Sequence, residues 1–234
     1  MSKDAKPRDI VGMTEQQNLD AGRFSSWLRS TRSAQINDSG AEVPCGECNA
    51  CCRSSYFIHI RPEETETLSR IPGELVFPAP GLPKDTVLLG YDEKGRCPML
   101  IDGKCSIYEH RPLTCRSYDC RVFSAAGIAP GEDDKALIAE RVRRWKFSYL
   151  TESERKQHSA VQAAATFLRE RAECFPAGVV PRNSTQVAIF AIKVYKVFLR
   201  YEYKSGETGC APDDFKIAKA VMEANERFEG KYER

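Results

Sequence analysis

The sequence predicts an α+β fold, mainly α, in which a loop-rich cysteine centre with short strands packs against a C-terminal helical bundle. Three observations lead there. Eight of the ten cysteines fall between Cys45 and Cys120. Glycine and proline crowd the same stretch, with Pro72, Gly73, Pro78, Pro80, Gly81 and Pro83 between Cys52 and Cys97. Beyond residue 125 the apolar residues take up a helical period. The chain accordingly divides into a polar tail and helix over residues 1–40, a cysteine-cluster metal-binding region over 41–124 and a helical region over 125–234.

The first region opens on a polar tail. Thr14 and Gln17 are placed to form a capping box, and Phe24, Trp27 and Leu28 share one face of the helix that follows. In the middle region Tyr56 to Ile60 suits a short strand. Pro62 then sits where a short helix begins, with Glu63 and Glu64 in its first turn, and the helix stops near Ile71 before Pro72. Val87 to Tyr91 suits a second strand. From about Asp133, Ile138, Val142, Trp145 and Tyr149 form a helical stripe. Thr151 with Glu154 reads as a capping box for a second, carrying Val161, Ala164, Ala165, Leu168 and Ala172. Val187, Phe190, Ala191, Val194, Phe198 and Tyr201 make a third, and Ile217, Val221, Ala224 and Phe228, after Pro212, a fourth.

Bulk properties remove several classes of function. Of 234 residues, 35 are basic and 33 acidic, and the charges are interspersed, so no nucleic-acid partner is indicated. The most apolar run, Val187 to Phe198, is broken by Lys193 and Lys196 and is too short to span a membrane. The N-terminus has no apolar core of the secretory kind. The expectation is a cytoplasmic protein whose cysteines stay reduced and bind metal rather than form disulfides. No GxGxxG after a strand, phosphate loop, HExxH or GxSxG is present, so dinucleotide, ATP and serine-hydrolase chemistry have no support. The CxxxCxxC spacing of radical S-adenosylmethionine enzymes is absent as well.

Cys45-Gly-Glu-Cys48-Asn-Ala-Cys51-Cys52 is a CxxCxxCC run that brings successive thiols within one turn or tight loop. Cys97, Cys105, Cys115 and Cys120 follow. Thiolates are soft ligands that favour iron–sulfur clusters, zinc and cuprous copper. A cubane cluster and a four-thiolate zinc each need four ligands, so eight thiols make two sites, or one site with thiols to spare. Adjacent Cys51 and Cys52 point in different directions, and spacing alone does not say which of them ligates. Arg53 and Arg61 beside the first group, and Arg111, Arg116 and Arg121 beside the second, would offset thiolate charge, or else form surface ion pairs.

The same residues resemble a known family. The CxxCxxCC run, Cys97-Pro-Met-Leu, and Gly103-Lys-Cys105-Ser-Ile107-Tyr108-Glu-His-Arg111-Pro112-Leu-Thr-Cys115-Arg116-Ser-Tyr118-Asp-Cys120 are similar to the bacterial YkgJ-like cysteine-cluster proteins. These are described as zinc- or iron-chelating, are often labelled iron–sulfur oxidoreductases, and have the flagellin lysine N-methylases as relatives. The resemblance covers residues 45 to about 121. It implies Cys45, Cys48, Cys51, Cys52, Cys97, Cys105, Cys115 and Cys120 as candidate ligands, undivided between sites, with Arg111, Pro112 and Arg116 fixing the loop around Cys115.

Three functions follow as expectations. The first is an iron–sulfur protein, with a 4Fe-4S cluster as the leading cofactor, serving redox chemistry with a redox partner or modification of a protein substrate. The second is a structural zinc module presenting its helices to a protein partner. The third is S-adenosylmethionine-dependent lysine methylation, drawn from the relatives alone. The sequence identifies no catalytic residue and leaves the oligomeric state open. Cys174 and Cys210 read as thiols without partners, His158 as solvated, His59 as a packed strand residue and His110 as the better histidine ligand. The charge runs from Arg141 to Lys146 and from Glu152 to Lys156 read as solvated faces.

Overall fold

The computed structural model describes residues 17–41, 43–131, 135–201, 203 and 209–230. Two hydrophobic cores organise them. The larger gathers α1 (Phe24–Ile36), α4 (Arg121–Ala126), α5 (Ala136–Arg144), α6 (Glu152–Glu170), α7 (Ser184–Val194) and α8 (Pro212–Glu229). Phe24, Phe123 and Phe167 are fully buried at its centre, each stabilising the fold by roughly 2–3 kcal/mol through lost apolar surface. The smaller core has five buried residues, Ile60, Ile71, Leu89, Met99 and Ile107, with half-buried neighbours such as Ile58, Leu68 and Val87 packed against them.

The smaller core lies under a three-stranded antiparallel sheet in the order β2 (Ile58–Ile60), β4 (Val87–Leu89), β3 (Val76–Pro78). The strands expected near Tyr56 and Val87 are present in shortened form, and the third was not anticipated, because Pro78 reads as a breaker and forms only an edge. Leu100–Ile101 (β5) and Lys104–Cys105 (β6) form a hairpin. Its two turn residues, Asp102 and Gly103, take φ of +49° and +76°, the conformation that an Asp-Gly pair supplies in two-residue hairpins. The short α2 covers Thr65–Leu68 only. Glu64 is drawn off instead to accept from the amides of Arg61 and Leu113, the latter at the start of α3 (Leu113–Ser117).

Two helical expectations are corrected. Thr14 lies outside the described residues, and the chain after Gln17 forms a strand, β1 (Leu19–Arg23), before α1 begins at Phe24. Its partner is β7 (Trp145–Ser148), aligned parallel to it. The Ile138–Val142–Trp145–Tyr149 stripe thus runs from α5 into β7, with Tyr149 just past the strand's end. Trp145 and Phe147 keep facing the core because a strand returns a side chain to one face at every second residue.

The α6 start matches its capping signal in part. Thr151 accepts from the Glu154 amide at 3.3 Å, but the Glu154 carboxylate turns to Arg23, to Ser25 Oγ at 2.8 Å and to the Leu150 amide at 2.8 Å. Glu154 is buried, so the run from Glu152 to Lys156 is not a fully solvated face. His158 is not solvated either. It stacks on Phe24 with ring centroids 4.4 Å apart, and its Nδ1 meets the Tyr149 hydroxyl at 2.5 Å. Burial lowers its pKa, which favours the neutral ring.

Candidate metal centre

Gly46, at φ +57°, turns the chain so that the Cys48 amide donates to the Cys45 carbonyl at 3.1 Å. Cys51 and Cys52 occupy a 3₁₀ turn, Cys51–Arg53. That turn is anchored by Ser54, whose buried hydroxyl donates to the Ala50 carbonyl at 2.7 Å. From the turn, the Cys52 carbonyl accepts from the Cys97 amide at 2.8 Å, bringing the second group of cysteines alongside the first. The β5–β6 hairpin presents Cys105. Short α3 presents Cys115 and is tied to β2 by Thr114 Oγ1 donating to the His59 carbonyl at 2.7 Å. Cys120 immediately precedes α4 and is buried, whereas the other seven central thiols are half-buried.

By their mutual electrostatic effects the eight thiols fall into two groups of four that adjoin at Cys48, Cys51 and Cys52. Around Cys51 lie Cys45, Cys48 and Cys120. Burial, and then these neighbours together with Cys52, push the Cys51 thiol well above its ordinary value. Burial raises Cys120 to about 11, with Asp119, Cys45 and Cys48 adding to the shift. Around Cys115 lie Cys52, Cys97 and Cys105. Burial, and then these three thiols, raise Cys115 to about 12. Cys52 reaches about 11, through burial first and then Cys97, Cys105 and Cys48. Cys51 and Cys52 thus belong mainly to different groups, and the groups adjoin where Cys52 acts on Cys51 and Cys48 acts on Cys52.

Each group rests on a different core. Cys48, Cys51 and Cys120 pack on the helical core, whereas Cys97 and Cys105 pack on the small core beneath the sheet. Among the described residues, no three of the eight central thiols lie within 4.8 Å of one another. Four sulfurs around a single zinc at ~2.3 Å sit about 3.8 Å apart, so both groups are more open than a mononuclear tetrahedral site.

Hydrogen-bond donors surround the first group. Trp145 Nε1 donates to Cys120 Sγ at 3.2 Å. Trp27 Nε1 donates at 2.8 Å to Asp119 Oδ2, on the buried carboxylate beside Cys120. Arg121 fixes that carboxylate from the other side through Nε and Nη2. Arg121 is thus a buried partner of Asp119 rather than a cation aimed at sulfur.

The other arginines divide differently from their sequence positions. Arg111 lies near thiols of both groups, lowering the pKa of Cys45, Cys52 and Cys115 against the larger effect of burial. Its guanidinium lies 3.6 Å from the centre of the Tyr108 ring. Arg116 is exposed and holds the chain through its carbonyl, which accepts from the Ala41 amide at 2.9 Å. Arg61 pairs with Asp38.

The residue that sequence reasoning missed is Arg141. It donates to the carbonyls of Pro44 and Cys45 at 3.3 and 3.1 Å, stacks on Trp145 and faces the Cys45 thiol. It lies 96 residues from Cys45, inside a charge run that resembles a solvated face, so no local signal reveals it. Neither His59 nor His110 joins a thiol group. His59 is exposed and His110 pairs with Glu66 at 3.5 Å.

Cys174 and Cys210 are not unpartnered thiols. They form a disulfide between the end of α6 and the start of α8, which corrects both their assignment as lone thiols and the expectation that every cysteine stays reduced. Their partnership is invisible in sequence because 36 residues separate them.

No curated protein and no solved structure matches the chain. Residues 44–135, the span that carries both thiol groups, match the model of the CxxCxxCC family, described as "Putative zinc- or iron-chelating domain".

Proposed function

We propose that the protein carries two four-thiolate metal centres, Cys45/Cys48/Cys51/Cys120 and Cys52/Cys97/Cys105/Cys115, and that both are iron–sulfur clusters serving electron transfer. The sorting of eight thiols into two sets of four carries this reading. A bound cluster supplies one-electron redox chemistry.

The chain's own residues supply the rest. Trp145 hydrogen-bonds one ligand sulfur, Arg111 and Arg141 offset thiolate charge, and the Trp27–Asp119–Arg121 network holds the backbone entering Cys120. Because Cys51 and Cys52 are adjacent in the chain, two such centres would lie side by side, close enough for electrons to pass between them.

Metal and acid-labile sulfide content of anaerobically purified protein, with its visible spectrum, tests the proposal. Iron and sulfide in equal amounts, near eight of each per chain for two cubanes, with a brown colour, is the expected result. Two zinc ions without sulfide would overturn the redox reading and leave a structural one. The specific observation behind that second reading is the smaller core of five buried residues, too small to hold residues 52–113 without a metal staple.

A further inference from the structure

Outside the central cysteines, the described residues bring one further set of soft and charged ligand atoms together. Glu173 offers a carboxylate oxygen, and Cys174 and Cys210 a sulfur each, all within 4.8 Å of one another. In the structure the two sulfurs are bonded to each other. We propose that this cluster is a redox-gated metal site: oxidised it is a disulfide, and reduced it takes up a zinc-like divalent cation on two thiolates and the Glu173 carboxylate.

The scaffold holds both cysteines in place without the S–S bond. The Cys174 amide donates to the Arg171 carbonyl at 3.0 Å in the turn that ends α6. Arg171 also reaches across with Nε to Asp214 Oδ2 at 3.1 Å, and that same oxygen accepts from the Ala211 amide, next to Cys210, at 3.0 Å. Both partners of the ion pair are buried. One arginine thus ties down the backbone on both sides, and reduction leaves two thiols facing each other on a pre-organised frame.

Access and chemistry agree. Glu173 is exposed and Cys210 half-buried, so a small thiol and an ion reach the site from solvent. Two equivalents of a thiol reductant deliver two electrons and two protons to the disulfide and become a disulfide themselves. The cation then displaces both thiol protons and binds S, S and O, leaving its fourth position to water, as in zinc sites with three protein ligands.

The test uses protein purified anaerobically with its central metal in place. One half is treated with a phosphine reductant, the reductant is removed, and cadmium binding is measured by equilibrium dialysis and elemental analysis. The reduced protein is expected to bind one cadmium ion per chain more than the untreated protein. Glu173→Gln should weaken that extra binding by at least about tenfold, the loss that removing even an outer-shell partner costs. Cys174→Ser/Cys210→Ser should abolish it while keeping the same central metal content, which reports separately on the two central centres. Equal cadmium uptake before and after reduction, or an extra equivalent unaffected by Glu173→Gln, would overturn the proposal. Glu173 is exposed, so its variant tests the site even if the double serine variant fails to fold.

Discussion

Successive residues of a 3₁₀ turn point about 120° apart, and that rotation sends the thiols of Cys51 and Cys52 to different groups. Their separate substitution is therefore the sharpest test of the two-centre arrangement. Cys51→Ser should deplete one centre and Cys52→Ser the other, each retaining about half of the metal. Elemental analysis checks it, and loss of all metal in either variant would show a single shared centre. Trp145 gives a second handle, since hydrogen bonds to cluster sulfur set the reduction potential. With its indole N–H gone, Trp145→Phe should lower the midpoint potential of one centre and leave the other unchanged in a redox titration. Movement of neither midpoint would remove Trp145 from the electrostatics of the site.

The β5–β6 hairpin presents Cys105, and the α6 start ties β1 to the helical core. Gly103 holds φ of +76° with only the Asn49 side chain nearby, so Gly103→Ala is strained by its backbone rather than by crowding. A stability loss of about 1–2 kcal/mol is expected, together with metal loss confined to the group that contains Cys105. Thermal unfolding and metal analysis of the same sample read both. At the other end of the fold, the Arg23 side chain, then Leu150 and Ser25, hold the Glu154 carboxyl at about 2, below its ordinary 4.5. A depressed carboxyl contributes stability that is complete above the ordinary value and drains away as the pH falls from about 4.5 toward 2. Glu154→Gln should flatten that part of the stability–pH curve in denaturant titrations; an unchanged acid slope would mean the β1–α6 tie does not carry it.

At the scale of the molecule, the two thiol groups rest on unequal foundations. The helical core is extensive, whereas five buried residues and their half-buried neighbours support the sheet and hairpin. Removing metal with a strong chelator should therefore unfold residues 52–113 and leave the helices largely intact. Far-UV circular dichroism should keep most of its helical signal, while amide exchange in β2 to β6 becomes fast. Cooperative loss of both parts would indicate that the first group is also essential to the helical body.

From the sequence alone come the fold class, the apolar faces of α6, α7 and α8, and the set of eight central cysteines. Those signals are local: periodicity, caps and close cysteine spacing act within a few residues. It did not determine that Trp145 to Ser148 is a strand, because β7 forms only by pairing with Leu19 to Arg23, more than a hundred residues away. Nor did it divide the cysteines. Cys120 joins Cys45, and Cys52 joins Cys97, because the backbone folds back on itself and brings them together. Arg141 and the Cys174–Cys210 pair were hidden for the same reason. Pairings across long sequence separations are decided by how the whole chain buries its apolar surface, and only the tertiary structure records that outcome.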